Sequence, residues 1–285
     1  MYTLLISAPQ LQQLQAQGTP CTVLDCSFDL MAPERAAAFF VSEHIAGALP
    51  AHLDRDLSAH PHGPAVNGGR HPLPPRETVA QWLGGLGVCN DTQIVVYDRN
   101  KGHYCGRLWW MLKWLGHEAV AVLDGGLHAW KDAGGALASG PAAPSVPTHF
   151  SLKAPLRQLV LAETVSRALG HPQQTVVDAR AAARYRGEVE PLDPVAGHIP
   201  GALNRPFTDN FNEDGRFKSP AQLRTEWCHV LAGRAAHSVV HHCGSGVTAV
   251  PNLIAMELAG FGPTALYAGS WSEWCRSPSM PCAQG

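Results

Sequence analysis

Charge is scarce in this chain. Only 15% of its 285 residues are Asp, Glu, Lys or Arg, the formal net charge is −2, and no block of Lys and Arg stands out. A nucleic-acid partner is thereby left without an electrostatic footprint. Long apolar runs are missing too: none approaches the roughly 18 residues of a membrane span, so no membrane association is expected. The opening stretch MYTLLISAPQLQQLQAQG has neither a basic start nor an unbroken apolar segment. It is not expected to act as a secretory signal, and a cytoplasmic setting with reduced thiols follows as the expectation. None of the cysteines (Cys21, Cys26, Cys89, Cys105, Cys228, Cys243, Cys275 and Cys282) forms a C-x-x-C pair, which argues against a zinc knuckle and against a thioredoxin-like dithiol. Free cysteine is among the most buried residue types, so most of these read as small core residues, with Cys243 the exception. What is present is apolar: 45% of the chain, enough for a sizeable core in one large domain or two ordinary ones.

The chain repeats itself. TVLDCSF (22–28) matches TVVDARA (175–181), EHIAGALP (43–50) matches GHIPGALN (197–204), QIVVYDRNKG (93–102) matches SVVHHCGSG (238–246), and AVLDGGLHAW (121–130) matches ALYAGSWSEW (265–274). A repeat this long, kept in one order, is a duplicated domain rather than a solenoid unit. Between the copies runs ALASGPAAPSVPTHFSLKAP, whose Pro, Ala and Ser content reads as a linker. The expected organisation is a first domain over 1–136, a linker over 137–156 and a second domain over 157–285. Short apolar runs such as TVLD, QIVVYD, TVVDA and SVVHH alternate with helix patterns such as GRLWWMLKWLG and VPNLIAMELAG. That alternation predicts an α/β fold in each copy, a mostly parallel sheet with helices on both faces. Ligands of such sheets gather at the carboxyl ends of the strands.

Cys243 stands at such an end. The loop Cys243-Gly244-Ser245-Gly246-Val247-Thr248 has no side chain at two positions, so its backbone can bend tightly and turn successive N–H groups inward. The helix that follows adds its own unpaired N–H groups and the positive end of its dipole. Those dipoles favour a thiolate over a thiol, and Ser245 and Thr248 add hydroxyl donors. The arrangement suits nucleophilic attack by sulfur, with the charged product held by backbone amides. A phosphatase loop would use an arginine six residues beyond the cysteine to hold three anionic oxygens, and that position is Ala249. In the first copy Asp98 takes the place of Cys243 and no nucleophile is present, so that copy is expected to be structural and to form the other wall of the cleft.

The duplicated domains together with GHIPGALN, CGSGVTA and YAGSWSEW resemble the tandem-domain rhodanese family of sulfurtransferases over essentially the whole chain. Within that family, CGSGVTA is similar to the loop of the 3-mercaptopyruvate branch, whereas the thiosulfate-preferring branch carries basic residues where this chain has Gly244 and Ser245. The resemblance implies that Arg184, in DARAAARYRGE, faces the active sulfur and the donor anion, as a planar bidentate cation is suited to do. It implies that His71, in GGRHPLPP, approaches Ser245, with Asp54 completing a serine–histidine–aspartate relay; Asp56 is the alternative because the spacing differs by one residue. The family's Glu-Pro-Arg segment reads Glu190-Pro191-Leu192 here, and Leu192 cannot bind a carboxylate. Arg186 or Arg70 is available to supply the missing charge.

The expected chemistry is a double displacement without metal or organic cofactor. Cys243 takes sulfur from a small donor, 3-mercaptopyruvate, and stores it as a persulfide within Gly244, Ser245, Gly246, Val247 and Thr248. An acceptor then removes it: cyanide, a thiol or a thioredoxin-like protein. The rival readings are thiosulfate:cyanide sulfur transfer through the same residues and a non-catalytic persulfide carrier.

Overall fold

The computed structural model describes residues 1–285. By packing, the chain divides into two units, Met1–Pro64 with Pro74–Leu156 and Glu213–Arg216, and Ala65–Leu73 with Arg157–Asn212 and Phe217–Gly285. No helix is long and apolar enough to cross a membrane.

The first unit runs β1 (Leu5–Ile6), α1 (Ala8–Ala16), β2 (Cys21–Asp25), α2 (Arg35–Ser42), β3 (His44–Ile45), β4 (Leu49–Pro50), α3 (Arg76–Gly85), β5 (Gln93–Tyr97), α4 (Gly106–Trp114), β6 (Val120–Leu123), α5 (Gly126–Asp132) and β7 (Leu137–Ala138). Its main sheet is parallel, in the order β1-β6-β5-β2-β4, with β3 and β7 paired antiparallel beside it. Helix α1 begins at a capping box, Ser7 accepting from the Gln10 N–H while the Gln10 side chain accepts from the Ser7 N–H, which satisfies two otherwise unpaired donors. Helix α4 is buried at every position, as its all-round apolar pattern requires. Carbonyls receive its two cations: Arg107 donates to Leu57 O at 3.2 Å and Lys113 Nζ to Glu118 O at 2.6 Å, with Lys113 also over the Trp109 ring. The Pro/Ala/Ser-rich stretch lies against this unit. Thr148 N–H donates to Gly84 O at 2.8 Å and Lys153 N–H to Leu115 O at 3.0 Å. A Cβ on Gly84 would stand 2.6 Å from Thr148 O, so glycine is what admits the strap.

The second unit runs α6 (Ala162–Arg167), β8 (Thr175–Asp178), α7 (Ala182–Tyr185), β9 (Leu203–Asn204), α8 (Pro220–Leu231), β10 (Val239–His242), α9 (Val250–Leu258), β11 (Ala265–Leu266) and α10 (Ser270–Trp274). Its sheet is parallel in the order β11-β10-β8-β9, and a bridge from Leu159 to Leu266 extends it where β1 extends the first sheet. Strand for strand this is the order of the first unit, the topological form of the duplicated sequence. Its core gathers Val165, Val176, Ile199, Val240, Tyr267, Trp271 and Trp274. Trp271 and Trp274 are fully buried, their indole N–H groups donating to Val195 O and Pro281 O, so both are core residues with satisfied polar ends.

Candidate active site

Cys243 follows directly on β10, and α9 begins at Val250. Its carbonyl and that of Gly244 are consumed by the start of α10: Trp271 N–H donates to Cys243 O at 3.0 Å and Ser272 N–H to Gly244 O at 2.8 Å. With those carbonyls turned to that side, the N–H groups of Gly244 and Ser245 in the same peptide planes point to the other. The N–H groups of Ser245, Val247 and Thr248 have no partner within the unit. Gly246 makes the bend at φ +74°, and a Cβ there would lie 2.1 Å from Ala268 O, so no other residue fits without moving backbone.

The first unit shows what such a loop holds. Between β5 and α4 the carboxylate of Asp98, the counterpart of Cys243, is fully buried and accepts four amides: Asn100 and Gly102 N–H at 2.8 Å on one oxygen, Tyr104 and Cys105 N–H at 2.8 and 2.9 Å on the other. This loop carries its own anion. Asp98 is therefore a structural residue, and the matching turn of the second unit has no carboxylate of its own at that position.

His71 lies in the second unit, in the segment Ala65–Leu73. Its Nδ1 is 2.7 Å from Ser245 Oγ, and both residues are buried. The segment is fixed by Gly68 N–H to Glu273 Oε1 at 2.6 Å and Arg70 N–H to Ser272 Oγ at 2.9 Å. A side chain on Gly69 (φ +94°) would meet Gly269 O at 2.7 Å. Asp54 is an exposed residue of the turn after β4 in the first unit, where its N–H donates to His52 Nδ1 at 3.2 Å. The Asp56 carboxylate is bonded locally by Arg55 and by the His52 N–H.

Arg184 on α7 is held by Glu190 at 2.6 Å and by Asp193 at 3.4 Å. Its neighbour Arg180 is buried against Asp178 and Glu190 and stacks over Trp271 at 4.7 Å. Burial opposes ionisation of Asp178, but His242 and Arg180 outweigh it and hold the carboxyl below its usual range. Arg186 does not join this cluster: it pairs with Glu188 at 2.6 Å on the surface, with nearly half of its side chain exposed, because the short helix turns residue 186 away from the face that carries 184. Arg70 joins it instead, bonding Asp193 at 2.9 Å. Of the two histidines before the nucleophile, His241 packs edge-on to Trp227 and burial pushes it down to about 3. Burial likewise lowers His242, whose Nδ1 lies 3.1 Å from Cys243 O.

The sequence matches the Rhodanese-like domain model twice, over residues 7–133 and 161–277. The chain belongs to the rhodanese family. This rhodanese is 48% identical over 266 residues to a probable 3-mercaptopyruvate sulfurtransferase of Pseudomonas aeruginosa, covering 92% of each chain. It is 37% identical to the human 3-mercaptopyruvate sulfurtransferase, covering 90% of this chain and 86% of that one. Among solved structures it is similar to SseA, a 3-mercaptopyruvate sulfotransferase from Escherichia coli, with TM-score 0.80, 31% identity and coverage of 95% and 100%.

Sequence reasoning missed Ser270. It is fully buried at φ +56°, its Oγ accepting from Cys243 N–H at 3.1 Å and donating to Tyr267 O at 3.0 Å. The repeat carried the signal: the matching residue of the first copy is Gly126, at φ +58°. A serine in that conformation costs about 1–2 kcal/mol relative to the right-handed form, and the hydroxyl that ties down the Cys243 backbone offsets it.

Proposed function

We propose that this rhodanese is a 3-mercaptopyruvate sulfurtransferase that carries sulfur on Cys243. The observation that carries the reading is the neutral loop after Cys243: unclaimed amides at Ser245, Val247 and Thr248, with Ser245 bonded to His71 at 2.7 Å. The similarity to named 3-mercaptopyruvate sulfurtransferases supports the same donor.

The Cys243 thiolate attacks the donor sulfur, and the carbon–sulfur bond breaks with its electron pair left on carbon as the pyruvate enolate. The donor's thiol proton passes through Ser245 and His71 to that carbon, so pyruvate leaves and Cys243 keeps a persulfide anion. The amides of Gly244, Ser245, Gly246, Val247 and Thr248 stabilise its charge. Arg184 orients the donor. An acceptor (cyanide, a thiol or a thioredoxin-like protein) then takes the outer sulfur and restores the thiolate. All eight cysteines are unpaired, which suits the reducing cytoplasm this reading assigns.

Leu192, in place of an arginine, favours a second reading with thiosulfate as donor and sulfite leaving; a putative thiosulfate sulfurtransferase of Mycobacterium tuberculosis is 36% identical over 99% of this chain and 97% of its own. Measuring kcat/KM for both donors, with intact-mass detection of the persulfide in wild type and Cys243→Ala, decides between them. The expected result is one added sulfur on Cys243 and a preference for 3-mercaptopyruvate. Turnover with an unmodified Cys243 refutes the mechanism, and loading without transfer to any small acceptor marks a carrier.

A further inference from the structure

We infer that Arg70 is the second anion-recognising residue of the site, taking with Arg184 the carboxylate of the sulfur donor in place of the arginine absent at position 192. The inference rests on the proposed sulfur transfer and adds the residue that selects the donor's acid group.

The argument starts at Gly244, beside the nucleophile. A Cβ on that residue would stand 3.2 Å from Arg70 Nη2 and 3.6 Å from Arg184 Nη1. These are the ends of the two side chains that their carboxylate partners hold least. Arg70 gives Nη1 to Asp193 at 2.9 Å but Nη2 only at 3.5 Å. Arg184 gives Nε and Nη2 to Glu190 and Nη2 to Asp193, and its Nη1 makes no hydrogen bond. Two N–H-bearing ends therefore converge over the loop at a point where the chain has no side chain. In a protein with a basic residue at 244 that residue would occupy the space; here Arg70 reaches it from far along the sequence.

The charge beside the loop is positive on balance. The ion-paired cluster holds Arg70, Arg180, Arg184 and Arg276 against Asp178, Glu190 and Asp193, one positive charge in excess. That excess favours anionic groups at the loop. Asp193, whose side chain is fully buried, acts as a positioning residue: it bridges Arg70, Arg184 and Arg276, so the forks arrive oriented and lose little freedom when the ligand binds. Leu192 supports that placement through its backbone, donating to Glu190 Oε1 at 3.1 Å, while its apolar side chain leaves the recognition to Arg70.

The test is Arg70→Gln in the full chain, assayed with 3-mercaptopyruvate and with pyruvate as competitive inhibitor. Removing a charged hydrogen bond of this kind is expected to raise KM and the pyruvate Ki together by about 10- to 100-fold, with kcat within about threefold. Arg70→Lys, which keeps the charge on Asp193 but loses the fork, should fall between. A KM and pyruvate Ki unchanged in whichever variant folds overturns the inference while leaving the sulfur transfer standing. A wild type that gains no sulfur from 3-mercaptopyruvate overturns the functional reading itself.

Discussion

Replacing Gly246 by alanine adds one methyl group at the tightest point of the nucleophile loop. The structure sets the cost. At φ +74° the new Cβ would sit 2.1 Å from Ala268 O and 2.8 Å from its carbonyl carbon. Both contacts are backbone, so no side chain can swing aside. The left-handed conformation costs an L-residue about 1–2 kcal/mol, and forcing an extra carbon into a packed site adds about 1–3 kcal/mol. The sum, about 2–5 kcal/mol, is within the stability of an ordinary domain, so the variant should fold with a lowered urea midpoint. The loop can relieve the clash only by swinging its amides away from the sulfur, and each misdirected donor of this type is worth about 10²–10³ in rate. Persulfide formation, followed by rapid quench and intact mass under conditions where the variant is fully folded, should therefore slow by at least 10². Gly244→Ala supplies the contrast: its Cβ meets only the ends of Arg70 and Arg184, so stability should hold and KM should rise. If Gly246→Ala loads sulfur within threefold of wild type, the amide cradle does not stabilise the persulfide and the reasoning fails.

Two further outcomes are expected. Ser245→Ala and His71→Gln should each slow sulfur loading from 3-mercaptopyruvate by about 10²–10⁴, the usual worth of a positioned proton carrier, and the double variant should be no slower than the worse single one; additive losses would show that the 2.7 Å contact is not a working relay. Stability should also fall with acid through His241. Its pKa is depressed by burial to about 3 against about 6.5 unfolded, so below pH 6.5 the unfolded chain binds the extra proton. The stability is complete above that pH and declines as pH drops towards 3, by about 2 kcal/mol at pH 5. Urea midpoints at pH 7 and 5 in wild type and His241→Phe measure it, and an unchanged difference between the two proteins would rule His241 out as the source.

The duplicated α/β architecture was open to reading because each strand is a short apolar run and each copy repeats the other in order. Cys243 was legible for the same reason: a thiol, two glycines and the start of a helix are consecutive residues, and their consequences are local. The Ser245–His71 pair rested on motif resemblance, and the short contact between them became a distance only in the folded chain. Arg184 and Arg186 could not be told apart by sequence, since both are arginines in one short run; the turn of α7 gives one to Glu190 and Asp193 and the other to Glu188 and solvent.

By itself, the order of residues determined the secondary elements, the two-copy plan and the glycine-flanked Cys243 loop, all of which depend on neighbours along the chain. Tertiary structure alone decided which charges gather at the loop. Arg70, Asp193 and Ser270 come from distant segments, and an ion pair or a hydrogen bond depends on separation in space, for which separation in sequence offers no measure once the chain has folded back on itself.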